Sequence, residues 1–234
     1  MHANSRPITS NQIGVHEHLH ALLERHRRSA YQRPVAEHSQ QAFGTAIAAW
    51  QSAGRARLVI DAGCGVGLST RKLAQIHNDC FVIGIDQSAD RLAREVRWEA
   101  KASANFILVR ANLIDFWRLM RDARIHPAFH YLLYPNPWPK KSQLARRWHG
   151  HPVFPTLLAL GGQIECRSNW KIYIQEFASA AAQLTGQPAF WESFQPVSEA
   201  LTPFEEKYRA SGHALWRCQL TIAPASTDGA HQIS

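Results

Sequence analysis

Apolar and polar positions alternate in blocks along this chain of 234 residues. In the first quarter the period is helical. Val15, Leu19, Leu22 and Leu23 recur at helix spacing within "GVHEHLHALLERHRRSAYQ". "SQQAFGTAIAAWQSAG" follows, with Ser39 at an expected N-cap and Gly54 at the expected stop. From Arg57 the pattern changes to short apolar runs separated by helical stretches. "RLVIDAGCG", "FVIGID", "NFILVRAN", "FHYLLYP" and "GGQIECRSN" predict strands, with "LSTRKLAQIH" and "SADRLAREVRWEAKAS" as helices between the first three. "WKIYIQEFASAAAQL" predicts a further helix, its apolar positions Ile172, Ile174, Phe177 and Ala181. "PAFWESFQ" and "HALWRCQLTIA" close the pattern as strands with no long helix between them.

Strands alternating with helices predict a doubly wound α/β fold with a mostly parallel sheet. The last two strands predict a hairpin-like finish with one antiparallel edge strand. The expected organisation is a helical, basic segment over residues 1–55, one domain over 56–223, and a flexible tail over 224–234. The segment around "YQRPVAEHSQQAF" is a candidate lid.

Composition narrows the function classes. Hydrophobic residues are 45% of the chain, enough for a core. No apolar run reaches the roughly 18 residues of a membrane span, and "MHANSRPITSNQ" carries no apolar signal core. The expected location is the cytoplasm. Cys64, Cys80, Cys166 and Cys218 have no paired spacing, so they predict reduced thiols rather than a disulfide frame or zinc site. Lys and Arg exceed acids by 26 to 18, a net +8 that favours a polyanionic partner. His16 and His20 stand at a spacing that could hold a metal, but with no further ligand nearby a basic face is the expectation, and no metal site is predicted.

Two stretches carry chemistry. In "VIDAGCGVGLS", Asp61 ends a strand and Gly63, Gly65 and Gly67 follow. Such glycines let the backbone turn sharply beside a ligand. The dinucleotide fingerprint would place its third glycine where Leu68 stands. The preceding acid repels a diphosphate and attracts an ammonium. Asp86, in "GIDQS" at the end of the second strand, suits a ribose diol, with Gln87 beside it. Asn112 and Leu113, in "RANLIDF", would flank an adenine. An ammonium, a ribose and an adenine without phosphate together specify S-adenosylmethionine, with S-adenosylhomocysteine as product.

The second stretch is "YPNPWPKK", Tyr134 to Lys141. Three prolines stiffen it beyond what a turn needs. Asn136 between two of them, and Trp138 after them, would face the cofactor. Trp138 would wall the pocket or stack on a base. Lys140, Lys141, Arg146 and Arg147 form a run that could track a phosphate backbone.

Together with "RSNW" and "TPFEEKYRASGHALWR", these motifs resemble the bacterial tRNA (guanine-N7)-methyltransferase family over about residues 57 to 220. That resemblance implies a Rossmann-like class I methyltransferase with a seven-stranded sheet. It implies tRNA as substrate, Asn136 at the catalytic or guanine-binding position, and substrate contacts from Tyr134, Trp138, Lys140, Asn169, Thr202, Phe204 and Glu205. Asn112, Asn136 and Asn169 stand where the family keeps acids. That departure holds open a small purine- or pteridine-like heterocycle as acceptor, or an RNA-binding pseudoenzyme. The expected assembly is a monomer or homodimer, away from membranes.

Overall fold

The computed structural model describes residues 5–29, 31–94, 105–196 and 199–223. The tail predicted over 224–234 lies outside them, as does the part beyond Arg94 of the helix predicted from Ser88. Seven strands form one sheet: β1 (Arg57–Ala62), β2 (Cys80–Asp86), β3 (Phe106–Arg110), β4 (Phe129–Leu133), β5 (Gly162–Ser168), β6 (Phe190–Phe194) and β7 (Leu215–Ile222). Their order is β3-β2-β1-β4-β5-β7-β6. β1 and β2 are buried almost throughout, as strands covered on both faces must be.

Six strands run in one direction, and β7 alone is reversed, antiparallel to both β5 and β6. The antiparallel strand therefore lies one place in from the edge, and β6 is the outermost strand of the pair. Its apolar content explains this. β7 buries Leu215, Cys218 and Leu220, whereas β6 leaves Phe190 largely exposed. The helix α8 (Pro203–Ala210) lies between them in sequence.

The helices wind on both faces. α3 (Leu68–Ile76) sets Leu73 and Ala74 against Val59 and Val82. The opposite face carries α1 (Leu19–Arg28), α2 (Glu37–Ser52), α5 (Leu113–Asp122), α6 (Phe154–Ala159) and α7 (Lys171–Thr185) around Ile60, Ile83 and Ile164. The short α4 (Ala89–Ala93) follows β2. α7 buries Tyr173, Ile174, Phe177 and Ala181, while Ile172 is only partly covered.

Two local expectations change. Ser39 is not an N-cap: α2 begins two residues earlier, and Ser39 is fully buried inside it, where its Oγ accepts the Asn112 N–H at 3.1 Å. His16 and His20 do not share a helix face. His16 precedes α1 and is buried, and His20 bonds Gln183 from the surface. All four cysteines are free and buried. Among the described residues, no helix is long and apolar enough to cross a membrane.

Candidate active site

The chain builds β1, β2 and β3 outward on one side, then returns to place β4 on the other side of β1. A crevice opens at such a switch point, beyond the carboxyl ends of the strands. Here it is a cavity of about 530 Å³ lined by the glycine loop, Asp86, the loop after β4 and the start of α8.

The glycine loop consumes its own amides. Gly63 and Cys64 donate to the Ile85 carbonyl at 2.8 and 3.0 Å, Gly65 donates to Asp86 Oδ2 at 3.0 Å, and Gly67 donates to Cys64 O at 3.0 Å. An anion-binding nest needs those N–H groups free, so the loop does not cradle a phosphate. Gly63 and Gly65 have φ of 82° and 62°, and a Cβ on either would meet open space. They can pass close to a ligand. Gly67 is different. A Cβ there would strike Leu108 Cδ1 at 2.5 Å, so this glycine serves loop-to-strand packing and lies outside the cavity lining.

Asp61 is also set back from the cavity. It is buried under the loop, and its Oδ2 accepts the hydroxyls of Ser69 at 2.6 Å and Thr70 at 2.7 Å. Burial pushes its carboxyl up to about 6, against the pull of those two hydroxyls. Ser69 lines the cavity, and with its proton given to Asp61 it keeps its oxygen lone pairs for a ligand, so Asp61 acts there through Ser69.

Asp86 does face the cavity. Its Oδ1 accepts the Ser88 N–H at 2.8 Å, and its Oδ2 accepts Gly65 N–H and Arg91 Nη1, both at 3.0 Å. Arg91 is half-exposed, so its ion pair is of the weak, displaceable kind. Gln87, Asn112 and Leu113 line the same side. Asn112 caps α5, its Oδ1 accepting the Ile114 N–H at 2.9 Å. The residues thus fit a phosphate-free nucleoside with a cationic tail: two carboxylates, open glycine backbone and no free amide nest.

The opposite wall is the loop after β4. Tyr134 and Trp138 hold φ of 54° and 45°, left-handed values that residues with side chains rarely adopt. Asn136 between them is exposed, lines the cavity, and makes no side-chain hydrogen bond to any described residue. Trp138 also lines the cavity, with the Arg146 guanidinium 4.9 Å from its ring centre. Thr202 caps α8 by accepting the Glu205 N–H at 3.0 Å, and both Thr202 and Phe204 reach the cavity.

Four expected contacts fall elsewhere. Glu205 is fully buried. It accepts the Tyr134 hydroxyl at 2.8 Å and pairs with Arg167 at 3.0 Å, so it braces Tyr134 from behind. Burial and the Glu205 charge raise the Tyr134 hydroxyl, which stays a donor. Asn169 bonds His213 at 3.1 Å and does not line the cavity. Lys140 sits exposed outside the lining. Arg147 is completely buried on Glu176 and cannot track a phosphate backbone. Sequence reasoning missed Cys64, Ser69, Arg91, Arg94 and Trp148 in the lining. Ser69 was the legible one, a hydroxyl two residues past the last glycine.

Residues 55–218 match a family model described as "Putative methyltransferase". The tRNA (guanine-N(7)-)-methyltransferase of Treponema pallidum (strain Nichols) is 27% identical over 169 residues, covering 68% of this chain and 65% of that protein. The chain therefore spans just under two thirds of that relative's length. The protein of the same name from Geobacillus thermodenitrificans is 26% identical over 178 residues, covering 70% of this chain and 79% of that one. Among solved structures, antibiotic-resistance methyltransferase Kmr superposes with a TM-score of 0.51 at 21% identity, over 79% of this chain and 94% of the other. That likeness concerns the fold.

Proposed function

This chain belongs to the methyltransferase family matched over residues 55–218, and from that premise we propose that it methylates N7 of a guanine in tRNA, using S-adenosylmethionine. One observation carries the reading. An exposed Asn136 with no side-chain partner among the described residues and the glycine-loop–Asp86 wall line the same cavity from opposite sides.

When bound, the cofactor supplies a methyl group on a positively charged sulfur. Asp86 and Asn112 would hold its nucleoside, Gly63 and Gly65 would let it approach the backbone, and Ser69 backed by Asp61 would receive its cationic end. Guanine N7 has a lone pair and no proton at neutral pH, so the chain needs no general base. It needs alignment and exclusion of water. Asn136 can accept one hydrogen bond from the guanine edge and donate another. An aspartate there would make a charge-assisted bond stronger by about 1–2 kcal/mol, so the asparagine gives a slower site and a competent one. Trp138, under Arg146, offers a stacking face. Arg146 at the cavity and the exposed Lys140 supply cations for a phosphate backbone.

A second reading has its own support. The N-terminal segment bonds the acceptor loop and the end of α8, through Ser10 Oγ to Pro139 O at 2.6 Å and Ser5 N to Ser211 Oγ at 3.1 Å. An N-terminal segment tied to the acceptor loop, with a neutral Asn136, suits a small nitrogen heterocycle. The test is transfer of labelled methyl to unmodified tRNA transcripts, followed by nucleoside analysis. 7-Methylguanosine supports the proposal. Label found only in small purines or pteridines transfers the site to the second reading.

A further inference from the structure

The loop that carries Asn136 has an unusual anchoring problem. Pro135, Pro137 and Pro139 have no N–H to donate, so the loop can be held mainly through its carbonyl oxygens. Left-handed φ values at Tyr134 and Trp138 mean that it will relax unless held. A residue with several donors in fixed directions must reach those carbonyls, and arginine is the one with five.

Arg147 does this. Its Nε donates to Trp138 O at 3.1 Å, and its Nη2 donates to Lys140 O at 3.3 Å. Its Nη1 pairs with Glu176 on α7, and its guanidinium lies 4.9 Å from the Trp170 ring centre. Nη2 also donates to Gln12 Oε1 at 3.0 Å, while Gln12 Nε2 returns a bond to the other Glu176 oxygen. His16 N–H and His149 Nε2 complete the shell of Glu176 at 3.0 and 2.8 Å. Every group in this shell is buried, and none lines the cavity.

We propose that Arg147 is the positioning residue of the acceptor loop: seated on Glu176 and closed in by Gln12, it grips the carbonyls of Trp138 and Lys140 and so aims Asn136 and Trp138 at the acceptor. This rests on the methyl-transfer reading above. It makes the N-terminal segment part of the acceptor site, since Gln12 closes the ring and Ser10 holds Pro139 O from the other side.

A buried ion pair also supports the fold, so the test must separate holding the loop from holding the protein. In the full-length double variant Arg147→Met/Glu176→Gln no buried charge is left unpaired, but the grip on the carbonyls is gone. The expected thermal midpoint is close to wild type, and S-adenosylmethionine affinity by calorimetry is unchanged. kcat on a tRNA transcript falls about a hundredfold, the loss expected from a misaligned reactant, with little change in KM. Tryptic cleavage after Lys140 or Lys141 quickens about tenfold as the loop opens locally. A stable double variant with wild-type kcat and cleavage would overturn the proposal. Arg147→Lys keeps the charge and loses the fork, so its kcat should stay low; full rescue by lysine would also overturn it. If the double variant fails to fold, Ser10→Ala/Gln12→Ala leaves the Arg147–Glu176 pair intact. It should speed cleavage at the loop about threefold with cofactor affinity unchanged, and an unaltered rate would contradict the proposal. Should the wild-type protein transfer no methyl to tRNA, the substrate assignment fails, while cofactor affinity and loop cleavage still decide the role of Arg147.

Discussion

Two buried carboxylates, one on each side of the cavity, have opposite electrostatic settings. Asp61, under the glycine loop, has two hydroxyls for company, and burial lifts its carboxyl to about 6. Glu176, under the acceptor loop, has burial against it too, but His149 and Arg147 outweigh burial and hold it down to about 2. On the first wall Asp61 has no ion-pair partner among the described residues, and Ser69 lies between it and the cavity. The second has neutralised its charge internally and uses the pair to hold backbone. The difference separates a wall built to bind from a wall built to aim.

The sharpest way to break that contrast is to unpair the second carboxylate. Arg147→Met alone leaves Glu176 buried without its arginine and should cost about 3–5 kcal/mol in denaturant unfolding, most of it recovered by adding Glu176→Gln. A small loss would mean that the pair is not the electrostatic anchor of its wall. On the other wall, Asp86→Ala removes the carboxylate proposed to accept the ribose diol. S-adenosylmethionine affinity by calorimetry should weaken about a hundredfold, on the order of 3 kcal/mol. Retained affinity would remove Asp86 from the nucleoside site.

A smaller effect sharpens the acceptor side. Asn136→Asp should raise the rate of methyl transfer to tRNA by roughly 5- to 30-fold, the equivalent of about 1–2 kcal/mol. A fall with tRNA but not with a small heterocycle would favour the second reading. An effect of similar size is expected in pH. Below about 6 Asp61 takes up a proton and ceases to attract a cation, so cofactor affinity should drop by about tenfold between pH 7 and pH 5. Asp61→Asn should flatten that profile. The same shift acts on stability with the opposite sense to the usual carboxylate. The folded carboxyl holds its proton more tightly than the unfolded one at 3.8, so Asp61's contribution is present at low pH and is lost as pH rises through about 6. Glu176 runs the other way: its contribution is present above 4.5 and is lost as pH falls through about 2.

Much of the fold was legible because buried parallel strands write themselves as unbroken apolar runs, as Leu58–Ile60 and Val82–Ile83 do. The switch point beside β1 came only with the strand order of the structure. The helix Leu113–Asp122 was not among the predicted elements, although Asn112 is a good N-cap and Asp115 sits in the first turn. Ser39 misleads because a serine at a helix start looks like a cap, while burial and the Asn112 N–H give it another partner. The order of the last two strands depended on which one buries more apolar surface.

The candidate site divides in the same way. Positions set by the backbone or by a strand end, such as Gly63, Gly65 and Asp86, were expected from spacing and do line the cavity. Lys140, Arg146 and Arg147 look alike in sequence, since a basic run does not say which member turns inward. The signal that separates them lies 29 residues beyond Arg147, in Glu176, an acid on the otherwise apolar buried face of α7. Glu205 likewise reads as a substrate contact until Tyr134 and Arg167 are seen to enclose it.

Methylation at guanine N7 is tested with two tRNA transcripts of identical sequence, one with guanosine and one with 7-deazaguanosine throughout, each incubated with S-adenosylmethionine carrying a labelled methyl group. Label is expected in the guanosine transcript alone, because only there does a lone pair exist at position 7 for the Asn136 wall to align. Equal labelling of both would contradict guanine N7 as the acceptor atom, and labelling of neither, with cofactor binding intact, would contradict tRNA as the substrate.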